Sequence, residues 1–109
     1  MTGWVQICPY GWIEPECGVA ALVNGVQIAI FRLHDGELLA ISNFDPYARA
    51  FVLSRGIVGT RGDAPTVASP LHKQVYDLRT GRCLDLPDVA VATYPVRCRD
   101  GMVEVPCPT

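Results

Sequence analysis

The chain has 109 residues, of which half are apolar and 18% are charged, so a folded domain with a hydrophobic core is expected rather than a disordered segment. Nine Lys and Arg residues against eleven Asp and Glu residues leave a net charge of −2, which argues against nucleic-acid binding, because that function needs a basic surface. The length fits a single domain over residues 1–109 and excludes a nucleotide-binding domain joined to a substrate domain. The longest uncharged stretch, residues 17–31, is 15 residues long, which is too short for a membrane span.

Short strands separated by turns are predicted along most of the chain. Four turn signals stand between strand-like runs: Asn24-Gly25, Asp35-Gly36, residues 79–82 and Asp100-Gly101. Asn-Gly supplies the two positive-φ positions of a type I′ turn, so residues 19–23 and 26–31 are predicted to pair as a hairpin. Pro95 has no N–H group for a sheet and is expected at a strand end, an edge or a bulge. Trp4 and Trp12 are expected to pack in the core or at a sheet end. Consecutive strands joined by short turns predict an antiparallel all-β domain.

The middle of the chain interrupts this pattern. Residues 42–68 form a 27-residue segment in which no strand is predicted. Segments of this length inside a small domain usually have a function or a structure of their own. Asp45 as a cap, Pro46 in the first helical position and Gly56 as a terminator predict a short helix over residues 47–55.

Five cysteines are spread along the chain: Cys8, Cys17, Cys83, Cys98 and Cys107. They form no C-x-x-C pair, so a zinc ribbon is not expected. Their odd number and an N-terminal sequence without the apolar core of a secretion signal favour free thiols in the reducing cytosol over a disulfide framework. Most are expected to be buried as small apolar side chains, and Cys107, between two prolines, is expected to be the most exposed.

The most informative stretch is residues 69–81, where Ser69, Pro70, His72, Tyr76, Asp77 and Gly81 follow a fixed spacing. It resembles the second ligand loop of Rieske iron–sulfur proteins, which reads C-P-x-H-x-x-x-F/Y-D-x-x-S/T-G. Residues 41–46 lie where that family has its first ligand loop, C-x-H. The resemblance covers nearly the whole chain from Trp4 onward. It implies an all-β, Rieske-like antiparallel β-sandwich or barrel, with a long insertion between the two loops that contains the short helix.

The four positions that hold the cluster in Rieske proteins are occupied here by Asn43, Asp45, Ser69 and His72. A Rieske cluster needs two thiolates on one iron and two imidazoles on the other, so only His72 is a ligand of the right kind. The resemblance therefore implies a Rieske-like fold with no cofactor or metal of its own. Two further interpretations stay open. Asp45 and His72 could hold a single hard metal ion, or the His72 ring could hydrogen-bond across the two loops and hold them together.

Among cluster-free Rieske-like proteins, the chain resembles the small subunits of cytoplasmic NAD(P)H-dependent nitrite reductase. The similarity rests on residues 43–46, 53–59 and 68–74, and on the 23 residues between Asp45 and Ser69, more than in Rieske ferredoxins. The resemblance implies a large-subunit partner that carries flavin, an iron–sulfur cluster and sirohaem, and that reduces nitrite to ammonia in nitrate assimilation. The small chain would supply no redox centre and no catalytic residue, and its location would be cytoplasmic.

The apolar segment between the two loops is the candidate docking surface for that partner. Arginines recur in it among aromatic side chains, a composition typical of protein interfaces. We expect the partner to contact six residues: Phe44, Tyr47, Arg49, Phe51, Arg55 and His72. Nucleic acids and membranes are not expected partners. Two alternative functions stay open: a Rieske-type [2Fe-2S] ferredoxin that carries electrons, and a stand-alone scaffold that binds an unrelated protein.

Overall fold

The computed structural model describes residues 3–108, which form twelve strands. In chain order they are β1 (Trp4–Pro9), β2 (Cys17–Val23), β3 (Val26–Arg32), β4 (Leu38–Ser42), β5 (Phe44–Asp45), β6 (Ala50–Phe51), β7 (Ile57–Arg61), β8 (Ala64–Ala68), β9 (Val75–Asp77), β10 (Thr93–Tyr94), β11 (Arg97–Arg99) and β12 (Met102–Pro106). Two 3-10 turns accompany them, at Tyr10–Trp12 and at Leu53–Arg55. The strand pairs are antiparallel, so the all-β prediction is confirmed. Within this range, no helix is long and apolar enough to cross a membrane.

The central sheet has the strand order β10-β4-β3-β2. Asn24 and Gly25 have φ angles of 51° and 80°, as a type I′ turn requires, so the predicted hairpin of β2 and β3 is confirmed. A second turn, over residues 33–37, brings β4 back beside β3, and β4 therefore ends at Ser42 near the Asn24-Gly25 turn. We call this end of the molecule the loop end, and the opposite end, which carries residues 33–37, the far end.

Each face of the central sheet packs against a different hydrophobic cluster. One cluster joins it to the sheet β1-β12-β11 and includes Ile28, Ile30, Val103 and Val105. The other joins it to the sheet β7-β8-β9 and includes Phe31, Ile41, Val67 and Tyr76. Successive side chains of a strand point to opposite faces, which is why neighbouring residues of β3 serve different clusters. The described strands thus form a layered sandwich of open sheets rather than a closed barrel.

The helix predicted over residues 47–55 is much shorter in the structure. Asp45 acts as a cap, because its carboxylate accepts two backbone N–H groups, but the helical path stops after one turn. Arg49 has a φ of 56°, a left-handed conformation in which a right-handed helix cannot continue. Between β6 and β7, Leu53–Arg55 forms a single 3-10 turn whose last hydrogen bond comes from the N–H of Gly56.

The prediction that residues 42–68 contain no strand is wrong. β7 and β8 pair as a hairpin around Gly62, which has a φ of 62°. These strands contain Gly59 and Pro65, which are uncommon inside strands and hide the hairpin in the sequence pattern. The hairpin contributes the fully buried Val67 to the second hydrophobic cluster.

Pro95 occupies its predicted kind of position, whereas one of the two tryptophans does not. Pro95 lies between β10 and β11, at a strand end as expected. Trp4 lies at the start of β1, where the guanidinium of Arg97 stacks 4.0 Å from its ring centre. Trp12 is 73% exposed, so the expectation that it packs in the core or at a sheet end is wrong.

The expectation that most cysteines are buried is also wrong. Cys8 and Cys83 are buried, and burial raises the pKa of the Cys8 thiol. Cys17 and Cys98 are exposed, whereas Cys107 is only partly exposed and is therefore not the most accessible thiol.

The two ends of the described chain lie side by side. The N–H of Cys107 donates to the carbonyl of Gly3 at 3.2 Å. The side-chain amide of Asn24 donates to the carbonyl of Pro108, also at 3.2 Å. Both ends therefore lie beside the Asn24-Gly25 turn, at the loop end.

Candidate functional site

Loop 1 (residues 43–51) leaves the central sheet directly after β4 and begins with the buried Asn43. Its side-chain Nδ2 donates to Gln27 Oε1 at 3.1 Å, and its Oδ1 accepts the N–H of Ser54 at 2.7 Å. The backbone of Asn43 also donates to the carbonyl of Gln27 and accepts the N–H of Leu53. Asn43 therefore ties β3 to the 3-10 turn, and its buried polar atoms are satisfied by these partners.

Asp45 is fully buried and joins loop 1 to the sheet β7-β8-β9. Its Oδ1 accepts hydrogen bonds from the N–H of Tyr47 at 3.0 Å, the N–H of Ala48 at 3.2 Å and the hydroxyl of Tyr76 at 2.8 Å. The Ser69 hydroxyl lies beside the carboxylate, although Oδ2 has no partner in full hydrogen-bond geometry among the described residues. Because Tyr76 belongs to β9, its bond to Asp45 fixes loop 1 against the second ligand-loop region.

The protonation states of this pair follow from their surroundings. Burial raises the pKa of a carboxyl group, because a low-dielectric interior disfavours the charged form. At Asp45 this effect is outweighed by the nearby Ser69 hydroxyl and by the hydrogen bonds from Tyr76, Ala48 and Tyr47, and the pKa lies below its ordinary value. Burial and the neighbouring carboxylate raise the pKa of Tyr76. At neutral pH the pair is therefore a carboxylate and a neutral phenol, joined by a charge-assisted hydrogen bond.

Loop 2 (residues 69–74) is closed by its own backbone. The N–H of Ser69, which is buried, donates to the carbonyl of Gln74 at 2.8 Å. The N–H of Lys73 donates to the carbonyl of Ser69 at 3.1 Å, and Lys73 has a positive φ of 62°. This tight turn presents His72 at the surface of the loop end.

The two loops meet at His72, but not through the hydrogen bond that the sequence suggested. The His72 ring packs edge-on against the Tyr47 ring, with the ring centroids 5.2 Å apart. The hydrogen bond that holds the loop regions together is instead the one between Asp45 and Tyr76. The predicted bridging role of the histidine is therefore corrected to an aromatic contact at the surface.

Exposed apolar and cationic side chains surround this contact. Three apolar side chains are about half exposed: Tyr47 (50%), Phe51 (54%) and Leu71 (53%). The ring of Phe44 lies against that of Phe51, with centroids 5.0 Å apart. Arg49 and Arg55 are exposed and form no ion pair within residues 3–108. The six residues predicted as partner contacts thus share the loop end.

Comparison with known proteins places this geometry in a family. The family model described as a Rieske-like [2Fe-2S] domain matches residues 3–106. The nitrite reductase (NADH) small subunit of Escherichia coli is 42% identical over 106 residues, which cover 96% of this chain and 98% of that protein. The chain belongs to the family of nitrite reductase small subunits.

Two further relatives extend the comparison of this small subunit. A crystal structure from Mycobacterium tuberculosis, described as an NADH-dependent nitrite reductase small subunit, superposes with a TM-score of 0.94 at 42% identity and covers 100% of this chain and 98% of its own. A nitrite reductase [NAD(P)H] large subunit from Klebsiella oxytoca contains a segment that is 41% identical over 102 residues. That segment covers 94% of this chain but only 11% of the Klebsiella protein, so the domain also occurs inside a longer polypeptide.

The side chains at the four positions that the resemblance assigns to the ligands do not match those of a Rieske cluster. By the resemblance, Asn43 and Ser69 stand where Rieske proteins have their thiolates, and both are buried, with an amide and a hydroxyl in place of sulfur. Asp45 stands at one imidazole position, and its Oδ1 already accepts three hydrogen bonds. The five cysteines all lie outside loops 1 and 2. The donor set therefore lacks both thiolates and one of the two imidazoles.

A single metal ion at Asp45 and His72 also lacks support in the geometry. Asp45 is buried against Tyr76, whereas His72 is exposed and packs on Tyr47. Over residues 3–108, no group of three or more His, Cys, Asp or Glu side chains comes together in a way that could hold a metal ion.

The sequence reasoning missed the partners that satisfy the two buried polar side chains. Tyr76 belongs to the motif over residues 69–81, but its hydrogen bond to Asp45 joins residues 31 positions apart in the chain. Only the folded arrangement of the strands brings these two side chains together. Gln27 and Ser54, the partners of Asn43, carried no signal of their own. The available signal was indirect, because a carboxylate or an amide that is predicted to be buried needs hydrogen-bond partners from elsewhere in the chain.

Proposed function

We propose that the chain is the small subunit of an NAD(P)H-dependent nitrite reductase and that it binds a separate large subunit without carrying electrons itself. The observation that carries the proposal is the buried state of Asn43, Asp45 and Ser69 at three of the four ligand positions. Asn43 and Asp45 tie loop 1 to β3, to the 3-10 turn and to Tyr76 through hydrogen bonds. The loops thus keep a defined shape without iron, and their exposed tips are available for contact.

In this proposal the redox chemistry belongs to the large subunit. By the resemblance, that subunit would hold flavin, an iron–sulfur cluster and sirohaem. These groups would supply the electron transfer by which NADH or NADPH reduces nitrite to ammonia, and the location would be the cytoplasm. The small subunit, as one domain over residues 1–109, contributes a contact surface and neither a cofactor, a metal nor a catalytic residue.

The first test of this proposal is the iron content. We expect the purified chain, alone and in complex with its large subunit, to contribute no iron and no Rieske-type visible absorption, because the thiolate positions hold Asn43 and Ser69. The His72→Ala variant should have the same metal content as the unmodified chain. A measured stoichiometry of about two irons per small chain would contradict the proposal and favour the alternative, an electron-carrying Rieske ferredoxin.

The proposed contact surface consists of the loop tips. It comprises Phe44, Tyr47, Arg49, Phe51, Arg55 and His72, the residues expected from the sequence. Half-exposed aromatic rings beside arginines that form no ion pair with residues 3–108 are the kind of surface that contributes most to binding when a partner covers it. Several exposed apolar side chains at one end of a domain also favour a protein partner.

The second test concerns the strength of association. We expect Phe51→Ala and Arg55→Ala each to weaken binding to the large subunit from the same organism about tenfold or more. The expected loss of folding free energy is smaller: about 1 kcal/mol for Phe51→Ala, which loses the ring contact with Phe44, and within about 0.5 kcal/mol for the exposed Arg55→Ala. Isothermal titration calorimetry gives the first quantity and thermal unfolding of the small chain gives the second.

Arg99→Ala is the matched control for Arg55→Ala, because Arg99 is an exposed arginine on β11, outside the loops. It should leave the affinity unchanged. A large fall in melting temperature with unchanged affinity would show that Phe51 or Arg55 stabilises the fold instead of the complex. If the chain does not co-purify with a nitrite reductase large subunit from its own cells, the proposal fails and the stand-alone scaffold becomes the better interpretation.

A further inference from the structure

Two strongly exposed apolar side chains lie outside the loops, on edge strands of two sheets. Leu22 is 73% exposed on β2, the last strand in the order β10-β4-β3-β2. Ile57 is 76% exposed on β7, the first strand in the order β7-β8-β9. Edge strands with exposed apolar residues invite contact with another chain and are usually protected by charges or by a covering element. In the described part of the chain, no further strand pairs with the outer edge of β2 or β7.

Both side chains are continuous with the loop tips. Leu22 pairs with Gln27 across β2 and β3, and the Gln27 side chain accepts the hydrogen bond from Asn43, where loop 1 begins. Ile57 pairs with Ala68, the residue directly before loop 2. Leu22 and Ile57 thus flank the bases of loops 1 and 2, on the same end of the molecule as the proposed contact surface.

The 3-10 turn fills the space between the two edge strands. A Cβ atom on Gly18 of β2 would lie 2.8 Å from the carbonyl oxygen of Ser54, so the turn packs directly on the backbone of β2. The turn then leads through Gly56 into β7. Arg55, the last residue of the turn, is exposed and precedes the exposed Ile57 by two positions, so the turn connects the side of β2 to β7.

Charged side chains are distributed unevenly between the two ends of the molecule. Between residues 38 and 62 the single acidic residue is Asp45, which is buried, whereas Arg49 and Arg55 are exposed there. Exposed carboxylates are found at the far end, where Glu16, Asp35 and Asp63 line one pocket together with Arg79. Loop 1 and the 3-10 turn therefore expose cations and no carboxylate within residues 38–62, although the chain has a net charge of −2. At the base of loop 2, the exposed Asp85 accepts the N–H of Val75 and pairs with Arg61. Arginines at an interface favour a partner surface that carries negative charge.

We propose that the interface with the large subunit extends from the loop tips onto both edge strands through Leu22 and Ile57, and that the large-subunit surface is apolar with carboxylates at its rim. This inference rests on the proposed function, because it takes the large subunit as the partner. It adds two contact residues that the sequence motifs do not mark, and it gives the chemistry of the partner surface.

The test compares two variants of the full chain with a matched control. Leu22→Thr and Ile57→Thr keep residues that suit strands but remove apolar surface, and Trp12→Thr removes an equally exposed apolar side chain at the far end. Calorimetric titration of the large subunit with each variant should show affinity about fivefold to tenfold weaker for Leu22→Thr and Ile57→Thr. The affinity of Trp12→Thr should stay within about twofold, and all three variants should unfold within a few degrees of the unmodified chain.

Salt dependence tests the charge of the partner. Raising the ionic strength from about 0.05 M to 0.5 M should weaken binding of the unmodified chain, since opposite charges near a surface are screened. Arg49→Gln combined with Arg55→Gln should reduce that dependence. Binding that is unchanged or strengthened by salt would overturn the inference that the partner rim carries carboxylates.

The outcomes separate this inference from the proposed function. If Phe51→Ala weakens binding while Leu22→Thr and Ile57→Thr do not, the edge strands are not part of the interface, although the chain remains a large-subunit partner. If the unmodified chain does not bind the large subunit, both proposals fall. If the chain alone sediments as a dimer and Leu22→Thr makes it a monomer, the edge strands bind a second copy, and the large-subunit inference is overturned.

Discussion

Replacing Asp45 with Ala should lower the free energy of unfolding by about 3 kcal/mol near neutral pH, because hydrogen bonds to a buried charged group are among the most stabilising. The substitution removes the carboxylate that accepts three hydrogen bonds. The Tyr76 hydroxyl and two N–H groups of loop 1 then lose their acceptor. A loss of this size from one side chain is expected where a buried polar network is broken. Denaturant-induced unfolding of the isolated chain measures it.

The same carboxylate predicts how the stability varies with pH. The pKa of Asp45 is lower in the folded state than its ordinary value near 3.9, so the unfolded chain binds its proton more readily. The stabilisation is therefore fully present above the unfolded pKa and is lost as the pH falls through the folded pKa. Unfolding curves at several pH values give the free energy of unfolding of the unmodified chain and of Asp45→Ala. The difference between the two free energies should stay constant from neutral pH to about pH 5 and become smaller below about pH 4.

Tyr76→Phe is the control for this prediction, because it removes one donor and keeps the carboxylate with its two backbone partners. It should cost about 1 to 1.5 kcal/mol, less than Asp45→Ala. In the double variant the two losses should not add, since both remove the same hydrogen bond. Additive losses, or a pH profile identical for Asp45→Ala and the unmodified chain, would show that the two residues do not act as a pair.

Restoring the Rieske cysteine at position 43 is expected to destabilise this chain. Asn43→Cys should lower the free energy of unfolding by about 2 kcal/mol, because a thiol is only a weak acceptor for the Ser54 N–H and a weak donor to Gln27. Gln27→Ala is the matched comparison, since it removes one of these two bonds at a partly exposed residue, and it should cost about 1 kcal/mol or less. If Asn43→Cys unfolds at the same denaturant concentration as the unmodified chain, the amide of Asn43 has no structural role.

Local signals in the sequence predicted the parts of the fold that local geometry determines. The Asn24-Gly25 turn follows from the backbone preferences of two adjacent residues, and the Asp45 cap follows from a carboxylate one turn before the N–H groups it accepts. The helix beyond that cap was predicted too long, because the left-handed backbone of Arg49 is set by the pairing of β5 with β6 and not by the sequence of the helix. The hairpin of β7 and β8 was missed for the converse reason, since Gly59 and Pro65 weaken the strand pattern while tertiary packing of Val67 stabilises it.

The sequence predicted which residues form the candidate site, but not which hydrogen bonds and contacts they make. The resemblance to Rieske loops identified Asn43, Asp45, Ser69 and His72 as one set, and the structure brings their loops to one end of the molecule. Which of them joins the loop regions depends on contacts between distant segments: Asp45 reaches Tyr76 across 31 positions, and His72 reaches only the Tyr47 ring. Contacts at such separations leave no periodicity or spacing in the sequence that local reasoning can detect.

The hydrogen bond between Cys107 and Gly3 gives both ends of the described chain a common exit from the fold, beside the loop end. Polypeptide attached at either end would leave from the same place, so a covalent tether does not have to cross a sheet or displace a strand. The domain is therefore suited to act as a module that functions either as a separate chain or within a longer one, as in Klebsiella oxytoca. A tether would raise the effective concentration of the loop end near its partner surface without any new contact. The interface of a fused protein would therefore need less intrinsic affinity than the interface of a separate chain, and selection on that affinity would be weaker.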